Sequence, residues 1–262
     1  MIKRDDLARD LEQFFRYEDY EDYCLNGLQV EGKNEINKIA FAVSYNLPSL
    51  QEAINSGADA FIVHHGIFGK NFFSIKGREK TKIKALLDND ISLFGIHLPL
   101  DAHRELGNNA QLAACISAEI IDAFSVGYSV KNTAKYSIEK ILKIYHEKLG
   151  TDKTAPIKSK GISPARTFGM DHCNFGPDIP ENIAIVSGGG AGYYEKAIDM
   201  GVDTYITGDI REQDPAIAFE SKSNFINLGH YYSETLGIKA LENHCKNNYN
   251  IETIFINVKN RI

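Results

Sequence analysis

The chain has 262 residues, of which 43% are hydrophobic and 24% are charged, as in an ordinary globular protein of one or two domains. Its net charge of −6 provides no broad basic surface, so nucleic acid is not the expected partner. No apolar run suits a signal peptide or a membrane span, and the four cysteines form no C-x-x-C pair, so we expect a cytoplasmic protein with reduced thiols and no membrane contact.

Strand and helix patterns alternate along most of the chain. We predict strands where short apolar runs occur and helices where apolar residues recur at three- and four-residue intervals. This alternation predicts an α/β fold of layered sheets and helices. In chain order, the predicted elements are strand 36–44, helix 47–56, strand 58–63, helix 76–88, strand 91–96, helix 107–118, helix 137–149, a Gly-, Pro- and Ser-rich stretch at 150–180, strand 182–187, helix 191–200, strand 203–207, helix 214–220 and strand 224–228.

The two regular halves of the chain resemble each other. The pattern A-I-x-x-G-[AV]-D-x-[FY]-I occurs twice, with an offset of 144 residues. A repeat of this length predicts two similar α/β modules rather than a solenoid, although strand, turn and helix also recur in unrelated α/β proteins. Where the first copy has His64 and His65, the second has Gly208 and Asp209. Only the first copy is therefore expected to carry metal.

Histidine and carboxylate side chains follow three of the predicted strands. Ligands collect at the carboxyl ends of strands in α/β sheets, and imidazole with carboxylate donors suits Zn, Mn, Fe, Co or Ni. Five or six such donors exceed what one catalytic zinc takes from protein, so the pattern predicts two divalent ions bridged by a carboxylate. The candidates are His64 and His65 after strand 58–63, His97 and Asp101 after strand 91–96, with His103 two residues further on, and His230 and Glu234 after strand 224–228.

Other features admit a functional or a structural interpretation. The glycine run at 187–190 lies between a strand and a helix, where it could hold a phosphate or could serve only as a tight turn. His172 and Cys173 are isolated, and we predict that they are structural. The aromatic residues Phe68, Tyr231 and Tyr232 flank the candidate ligands, and they either stack on a base or wall the site.

Five segments, in this order and at these spacings, carry a resemblance to a known family. The chain resembles the GTP cyclohydrolase 1 type 2 homologue family of dinuclear metal proteins over nearly its whole length, most weakly between about 130 and 180. The segments are VHHGIFGK at 63–70, HLPLDAH at 97–103, SGGG at 187–190, YITGD at 205–209 and LGHxxxExxGIxAL at 228–241. Two positions depart from the family: it often has proline where Gly66 stands and glutamate where Asp209 stands.

The resemblance implies a site, an activity and an assembly. His97 would lie at the edge of the site as a proton carrier or as a partner of a ligand. The implied activity is hydrolysis of a small-molecule nucleotide such as GTP, by attack of water on C8 of guanine and opening of the ring. Two interlinked α/β domains and a ring-shaped homohexamer are also implied. The implied ligands of two divalent ions are His64, His65, Asp101, His230 and Glu234, with Glu234 shared by both ions.

A site that includes both His64 and His230 requires the chain to return to its first domain. We therefore predict a metal-binding domain formed by 1–124 plus 225–262 and a second domain of similar topology formed by 125–224. Two other functions stay open at this point. One is a metal-binding regulatory ring with little or no catalytic turnover, and the other is an interaction scaffold.

Overall fold

The computed structural model describes residues 1–70, 74–151, 161–162, 170–258 and 260. Up to residue 106, the elements are β1 (Ile2–Lys3), α1 (Arg4–Phe15), β2 (Gly27–Val30), β3 (Glu35–Ile36), β4 (Lys38–Ser44), α2 (Leu47–Asn55), β5 (Ala60–His65), α3 (Gly77–Asp88), β6 (Ser92–Gly95) and α4 (Leu98–Ala102). They continue as α5 (Asn108–Cys115), β7 (Glu119–Phe124), β8 (Gly127–Lys131), α6 (Ile138–Leu149), β9 (Gly161–Ile162), β10 (Asp171–Asn174), β11 (Asn182–Val186), α7 (Tyr194–Asp199), β12 (Thr204–Thr207), α8 (Asp214–Ser221), β13 (Asn224–Asn227), α9 (His230–Ser233), α10 (Thr235–Tyr249) and β14 (Glu252–Phe255).

Two compact units make up the described chain. The first contains Met1–Leu106 and Gly237–Val258, and the second contains Gly107–Leu236. The chain therefore leaves the first unit and returns to it, so the two units are interlinked in sequence. Each unit has its own sheet with flanking helices, which confirms the predicted α/β fold with two similar modules.

The sheet of the first unit has five strands in the order β14-β4-β5-β6-β2. Strands β14, β4, β5 and β6 are parallel, and β2 is antiparallel to β6. Along β5, residues 60–64 are buried, as expected for a parallel strand covered on both faces. Because β4, β5 and β6 are parallel, their carboxyl ends lie at the same edge of the sheet. Ser44, His65 and His97 therefore lie at or just beyond this edge.

The sheet of the second unit has the strand order β7-β8-β11-β12-β13-β10-β9. Its centre, β11-β12-β13, is parallel, and the flanking strands β8 and β10 are antiparallel to their neighbours. Aromatic rings pack in its core: Tyr194 stacks on Tyr205, with 5.3 Å between ring centroids, and meets Phe225 edge-on, with 4.9 Å between centroids. The carboxyl ends of the parallel strands lead into the glycine run at 187–190, into Gly208 and into His230.

The sequence repeat has a counterpart in the pairing of the strands. In the first unit Ile39 pairs with Ala60, and in the second Ile183 pairs with Thr204, so both pairs have the same register within the repeat. Both copies also place a helix between the two strands, α2 in the first and α7 after a 3-10 turn in the second. Residues 144 positions apart therefore occupy equivalent places in the two copies, both in the strand-helix-strand order and in the strand register.

In each copy, an aspartate directly before the second strand accepts hydrogen bonds from backbone amides at the start of the first strand. One carboxylate oxygen of Asp59 accepts hydrogen bonds from the two backbone amides that begin β4, at 2.9 and 3.3 Å. One oxygen of Asp203 accepts the equivalent pair at the start of β11, at 2.8 and 3.1 Å. Only Asp59 also binds a lysine, Lys33, whose Nζ lies 2.8 Å away.

We expect Asp59→Asn to lower the free energy of unfolding by about 2 kcal/mol at neutral pH, and Asp203→Asn to lower it by less. Burial raises the pKa of Asp59, but hydrogen bonds from Lys33 and from the two amides outweigh burial and lower it. The resulting stabilisation is present above the unfolded pKa of about 3.8 and is lost as the pH falls through the folded pKa. Urea unfolding of both variants at pH 7 and about pH 3 measures this. Equal losses at pH 7 would contradict the contribution of Lys33.

Residues 107–124 and 225–236 lie in the second unit, although the predicted domain division assigns them to the first domain. β7 pairs with β8, which pairs with β11, and β13 lies between β12 and β10, so these residues belong to the seven-stranded sheet. The division into 1–124 plus 225–262 and 125–224 stays a prediction about folding domains.

In the described part of the chain, no helix has both the length and the apolar character that crossing a membrane requires.

Candidate functional site

His64, at the carboxyl end of β5, is fully buried and has a defined orientation. Its Nδ1 lies 2.9 Å from the carbonyl oxygen of Ile96, and because a carbonyl only accepts, Nδ1 carries a proton. In the neutral imidazole, Nε2 is then a lone-pair donor. It lies 3.5 Å from Oδ2 of Asp101, a buried carboxylate on α4. Two electron-pair donors that face each other in this way suit a shared cation.

His65 and His97 complete a group of three imidazoles in the first unit. The ring of His65 lies 4.6 Å from that of His64, and the ring of His97 lies 5.0 Å from His64 and 5.7 Å from His65, between centroids. One ring nitrogen from each of the three lies within 4.8 Å of the others. Ser44, at the end of β4, holds His65 through a 3.0 Å hydrogen bond between Oγ and Nδ1, so Nε2 is the ring nitrogen of His65 that could hold a metal.

A carboxylate that sequence reasoning did not identify, Asp22, holds His97. Its side chain is only 3% exposed, and its two oxygens lie 2.9 and 3.1 Å from Nδ1 of His97. Asp22 also accepts hydrogen bonds from the amides of Cys24 and Leu98 and from the side chain of Asn26, each at 3.0 Å. The second ring nitrogen of His97, Nε2, is therefore the atom that can exchange a proton with a ligand.

The Asp22–His97 contact joins two charged groups. Burial lowers the pKa of His97, but hydrogen bonds to Asp22 and Cys24 outweigh burial and raise it to about 10. Burial raises the pKa of the Asp22 carboxyl, but hydrogen bonds from His97, Cys24 and Asn26 together lower it well below its usual range. Both shifts favour an ion pair between the Asp22 carboxylate and the His97 imidazolium in the metal-free protein.

His103 follows the same strand as His97 but belongs to a different environment. Its Nδ1 accepts hydrogen bonds from the amides of Glu105 and Leu106, at 3.2 and 3.1 Å. Its ring stacks on Phe14, with 4.6 Å between centroids. With one nitrogen used by the backbone and the ring packed on an aromatic side chain, His103 has a structural role.

In the second unit, His230 begins helix α9 and Glu234 directly follows its last residue, so about one helical turn separates the two residues. Nε2 of His230 lies 3.1 Å from Oε1 of Glu234, and the Glu234 side chain is 3% exposed. Gly188 lies beside this pair with a φ of 63°, and a Cβ at this position would meet Oε1 of Glu234 and Nε2 of His230. Glycine is thus required here both by the backbone conformation and by the proximity of the two candidate ligands.

The glycine run at 187–190 is a tight turn whose amides bind protein groups. The amide of Ser187 donates to Asn109 at 2.7 Å, and that of Gly188 donates to the hydroxyl of Ser233 at 2.9 Å. Asp209, which stands where the repeat has His65, accepts a 2.7 Å hydrogen bond from the amide of Ala191 just after the run. Because these amides bind protein groups, the run is better explained as a tight turn than as a phosphate site. Asp209 helps to hold this turn in place.

The other residues considered from the sequence divide into buried and accessible side chains. His172 and Cys173, on β10, are 6% and 1% exposed, in keeping with a structural role. Tyr231 and Tyr232 are 6% and 3% exposed, so neither offers a free ring face for a base. Phe68, by contrast, lines a cavity beside His65.

Comparisons with known proteins place the chain in a family. A family model described as Duf34/NIF3 (NGG1p interacting factor 3) matches residues 2–261. Two relatives, each called GTP cyclohydrolase 1 type 2 homolog, come from Yersinia pestis and Pyrococcus horikoshii. The first is 37% identical, with 92% of both chains covered. The second is 36% identical, with 97% of this chain and 98% of the relative covered.

Two solved structures are similar to this chain over its whole length. A structure called "Structural genomics, protein ybgI, unknown function" has a TM-score of 0.88 and 34% identity, and TTHA1606 from Thermus thermophilus has a TM-score of 0.87 and 30% identity; both comparisons cover 100% of both chains. The resemblance inferred from the sequence segments is thus confirmed. The chain belongs to the Duf34/NIF3 (NGG1p interacting factor 3) family.

Proposed function

We propose that the chain is a dinuclear metal-dependent hydrolase that acts on a nucleotide such as GTP. The observation that carries this proposal is the arrangement of lone-pair donors in two groups, one around His64 and one at His230. Imidazole and carboxylate donors of this kind fit Zn, Mn, Fe, Co or Ni. The proposed ligands of the two divalent ions are His64, His65, Asp101, His230 and Glu234, with the Glu234 carboxylate shared.

The chain's own residues would orient ligands and move a proton. Two bound divalent ions would supply an activated water and an electrophile that polarises the substrate. The Ile96 carbonyl and the Ser44 hydroxyl fix His64 and His65, so that Nε2 is the binding atom of each. Asp22 holds His97 as a cation, and Nε2 of His97 would donate a proton to the group that leaves.

Metal-replete protein should convert a member of a panel of nucleotides and phosphoesters, with GTP included, and His64→Ala should abolish that conversion. Product formation is followed by chromatography, and metal content is counted in the same samples. Loss of conversion with His64→Ala supports the hydrolase. Tight occupancy by two ions with no product from any substrate would instead support the second candidate function, a metal-binding regulatory ring.

We expect Gly188→Ala to weaken metal binding by about tenfold or more, the usual scale for residues that position a ligand. The added Cβ would meet Glu234 and His230, so both side chains would have to move. Gly201→Ala is a matched control, because Gly201 has a φ of 82° but no atom within 4 Å of the added Cβ. Competition with a fluorescent chelator measures the affinity. Equal losses of affinity in the two variants would show that backbone strain, not ligand displacement, is responsible.

The resemblance also supports a homohexamer in the cytoplasm as a further part of the proposal. Light scattering coupled to size-exclusion chromatography gives the mass of the assembly directly. A monomer or dimer at micromolar concentration would contradict the ring. The result does not depend on whether the chain hydrolyses a nucleotide.

A further inference from the structure

A cavity of about 510 Å³ lies beside His65 within the first unit. Its volume is in the range of about 300 to 1,000 Å³ that small-molecule sites occupy, which suits a mononucleotide. The residues that line it and bear on its chemistry are His65, Tyr23, Phe68, Arg78, Glu79 and Lys82. The cavity is therefore continuous with one of the proposed metal ligands and carries charged and aromatic side chains of its own.

The charged side chains come from the start of helix α3. Nζ of Lys82 lies 2.7 Å from one oxygen of Glu79, and Nε of Arg78 lies 3.3 Å from the other. Two cations thus share one carboxylate, which leaves a net charge of +1 on this wall. The Lys82 side chain is only 15% exposed and its Nζ lies 5.3 Å from the ring centroid of Tyr45, so it is held in place. The Arg78 side chain is 89% exposed, so of the two cations only Lys82 is preorganised, and an anion that enters the cavity meets an excess of positive charge.

The aromatic side chains lie on two segments that are joined by backbone hydrogen bonds. The amide of Leu25 donates to the carbonyl of Phe68 at 3.0 Å, and the amide of Lys70 donates to the carbonyl of Tyr23 at 2.8 Å. The Tyr23 ring also meets His97 edge-on, with 4.9 Å between centroids. Tyr23 and Phe68 are thus fixed beside the imidazoles, and 55% of the Tyr23 surface stays exposed for stacking with a planar ring.

We propose that this cavity binds a phosphorylated small molecule with a planar ring, of the mononucleotide class. Arg78 and Lys82 bind its phosphate, and Tyr23 and Phe68 contact its ring. Glu79 competes with the phosphate for the two cations and so limits the affinity. The identification of this ligand as the substrate rests on the proposed function; the binding itself does not.

Two other cavities of the first unit lack this combination of groups among the residues that the structure describes. The one between α2 and β14 has a carboxylate, Glu52, and no cationic side chain among its lining residues. The one around His103 has two arginines, but they are accompanied by Asp19 and Glu105, which balance their charge. Neither offers a net positive wall together with a candidate metal ligand.

Calorimetric titration of the full chain, treated with EDTA, tests the proposal with guanosine monophosphate, ribose 5-phosphate and inorganic phosphate as probes. We expect guanosine monophosphate to bind most tightly, and Tyr23→Ala to remove most of its advantage over ribose 5-phosphate. Lys82→Met and Arg78→Ala should each weaken its binding by about fivefold or more, because each removes a charge-assisted contact. Lys84→Met is the matched control on the same helix, with a side chain that is 65% exposed, and should change nothing.

Glu79→Gln should change the affinity for guanosine monophosphate in the opposite direction. A misfolded variant would not bind more tightly, so misfolding cannot produce this result. Removal of the competing carboxylate should strengthen binding of guanosine monophosphate by about two- to fivefold. Weaker binding by Glu79→Gln, equal affinities of Lys82→Met and Lys84→Met, or no binding by the wild type at millimolar concentration would each overturn the proposal. Because no metal is added, these outcomes are independent of the hydrolysis assay. Nucleotide binding without hydrolysis would retain the cavity assignment and reject the hydrolase.

Discussion

Glu234→Gln should leave the dialysed chain with far less metal than the wild type, whereas His97→Ala should retain both ions. The amide keeps the shape of Glu234 but loses its charge and one strong acceptor oxygen, so a carboxylate shared by two dications loses its electrostatic compensation. Both ions would loosen together. In the proposed assignment His97 is a partner held by Asp22 and not a ligand, so its loss should weaken affinity only by about 10- to 100-fold.

Plasma emission spectroscopy after dialysis counts the ions in each variant. Glu220→Gln, on the exposed surface of α8, controls for the loss of one carboxylate elsewhere in the second unit. Should Glu234→Gln retain two ions while His97→Ala loses one, His97 would be a ligand and the shared carboxylate would be a wrong assignment. That outcome would also remove the most specific residue carried over from the family resemblance.

The repeated strand-helix-strand unit could be predicted from the sequence because its signals are local. Apolar runs mark β4, β5, β11 and β12. Helices α2 and α7 lie between these strands, and each is followed by a glycine with a left-handed backbone conformation, Gly57 or Gly201. The strands β7 and β14 were not identified, because they are largely exposed on one or both faces and show no apolar run. Edge strands are defined by the neighbour they pair with, which no local pattern records.

The candidate ligands were found because they follow strands, whereas the residues that hold them were not found. Asp22 precedes His97 by 75 residues, and Ser44 precedes His65 by 21, so no spacing rule connects either pair. Gln29, which lies close to Gly66, is another contact that no local pattern records: a Cβ on Gly66 would meet the end of the Gln29 side chain at 2.5 Å, and Gln29 accepts a hydrogen bond from the amide of Ile67.

Asp22→Asn should lower the pKa of His97 by several units in the EDTA-treated protein. In the wild type, hydrogen bonds to Asp22 and Cys24 outweigh burial and raise the pKa of His97 to about 10, so the imidazole stays protonated at neutral pH. Asparagine can still accept one hydrogen bond from Nδ1 but has no charge, and burial then favours the neutral ring. We expect His97 to titrate below pH 7 in the variant. Nitrogen-15 NMR of labelled histidine, with His97→Gln to assign the signal, measures both midpoints.

The same change should alter the pH dependence of stability in a defined window. The raised pKa of His97 stabilises the fold fully below its unfolded value of about 6.5, and this contribution declines as the pH rises towards 10. The lowered pKa of Asp22 stabilises the fold above about 3.8, and this contribution is lost as the pH falls through its folded value. The wild type should therefore exceed Asp22→Asn most between about pH 4 and 6.5. Asp19→Asn is the control for loss of one surface charge, because the Asp19 carboxylate is 41% exposed.

A His97 midpoint near 6.5 in both the wild type and Asp22→Asn would show that the carboxylate does not hold the proton on His97. The proposed proton donation from Nε2 would then lose its basis.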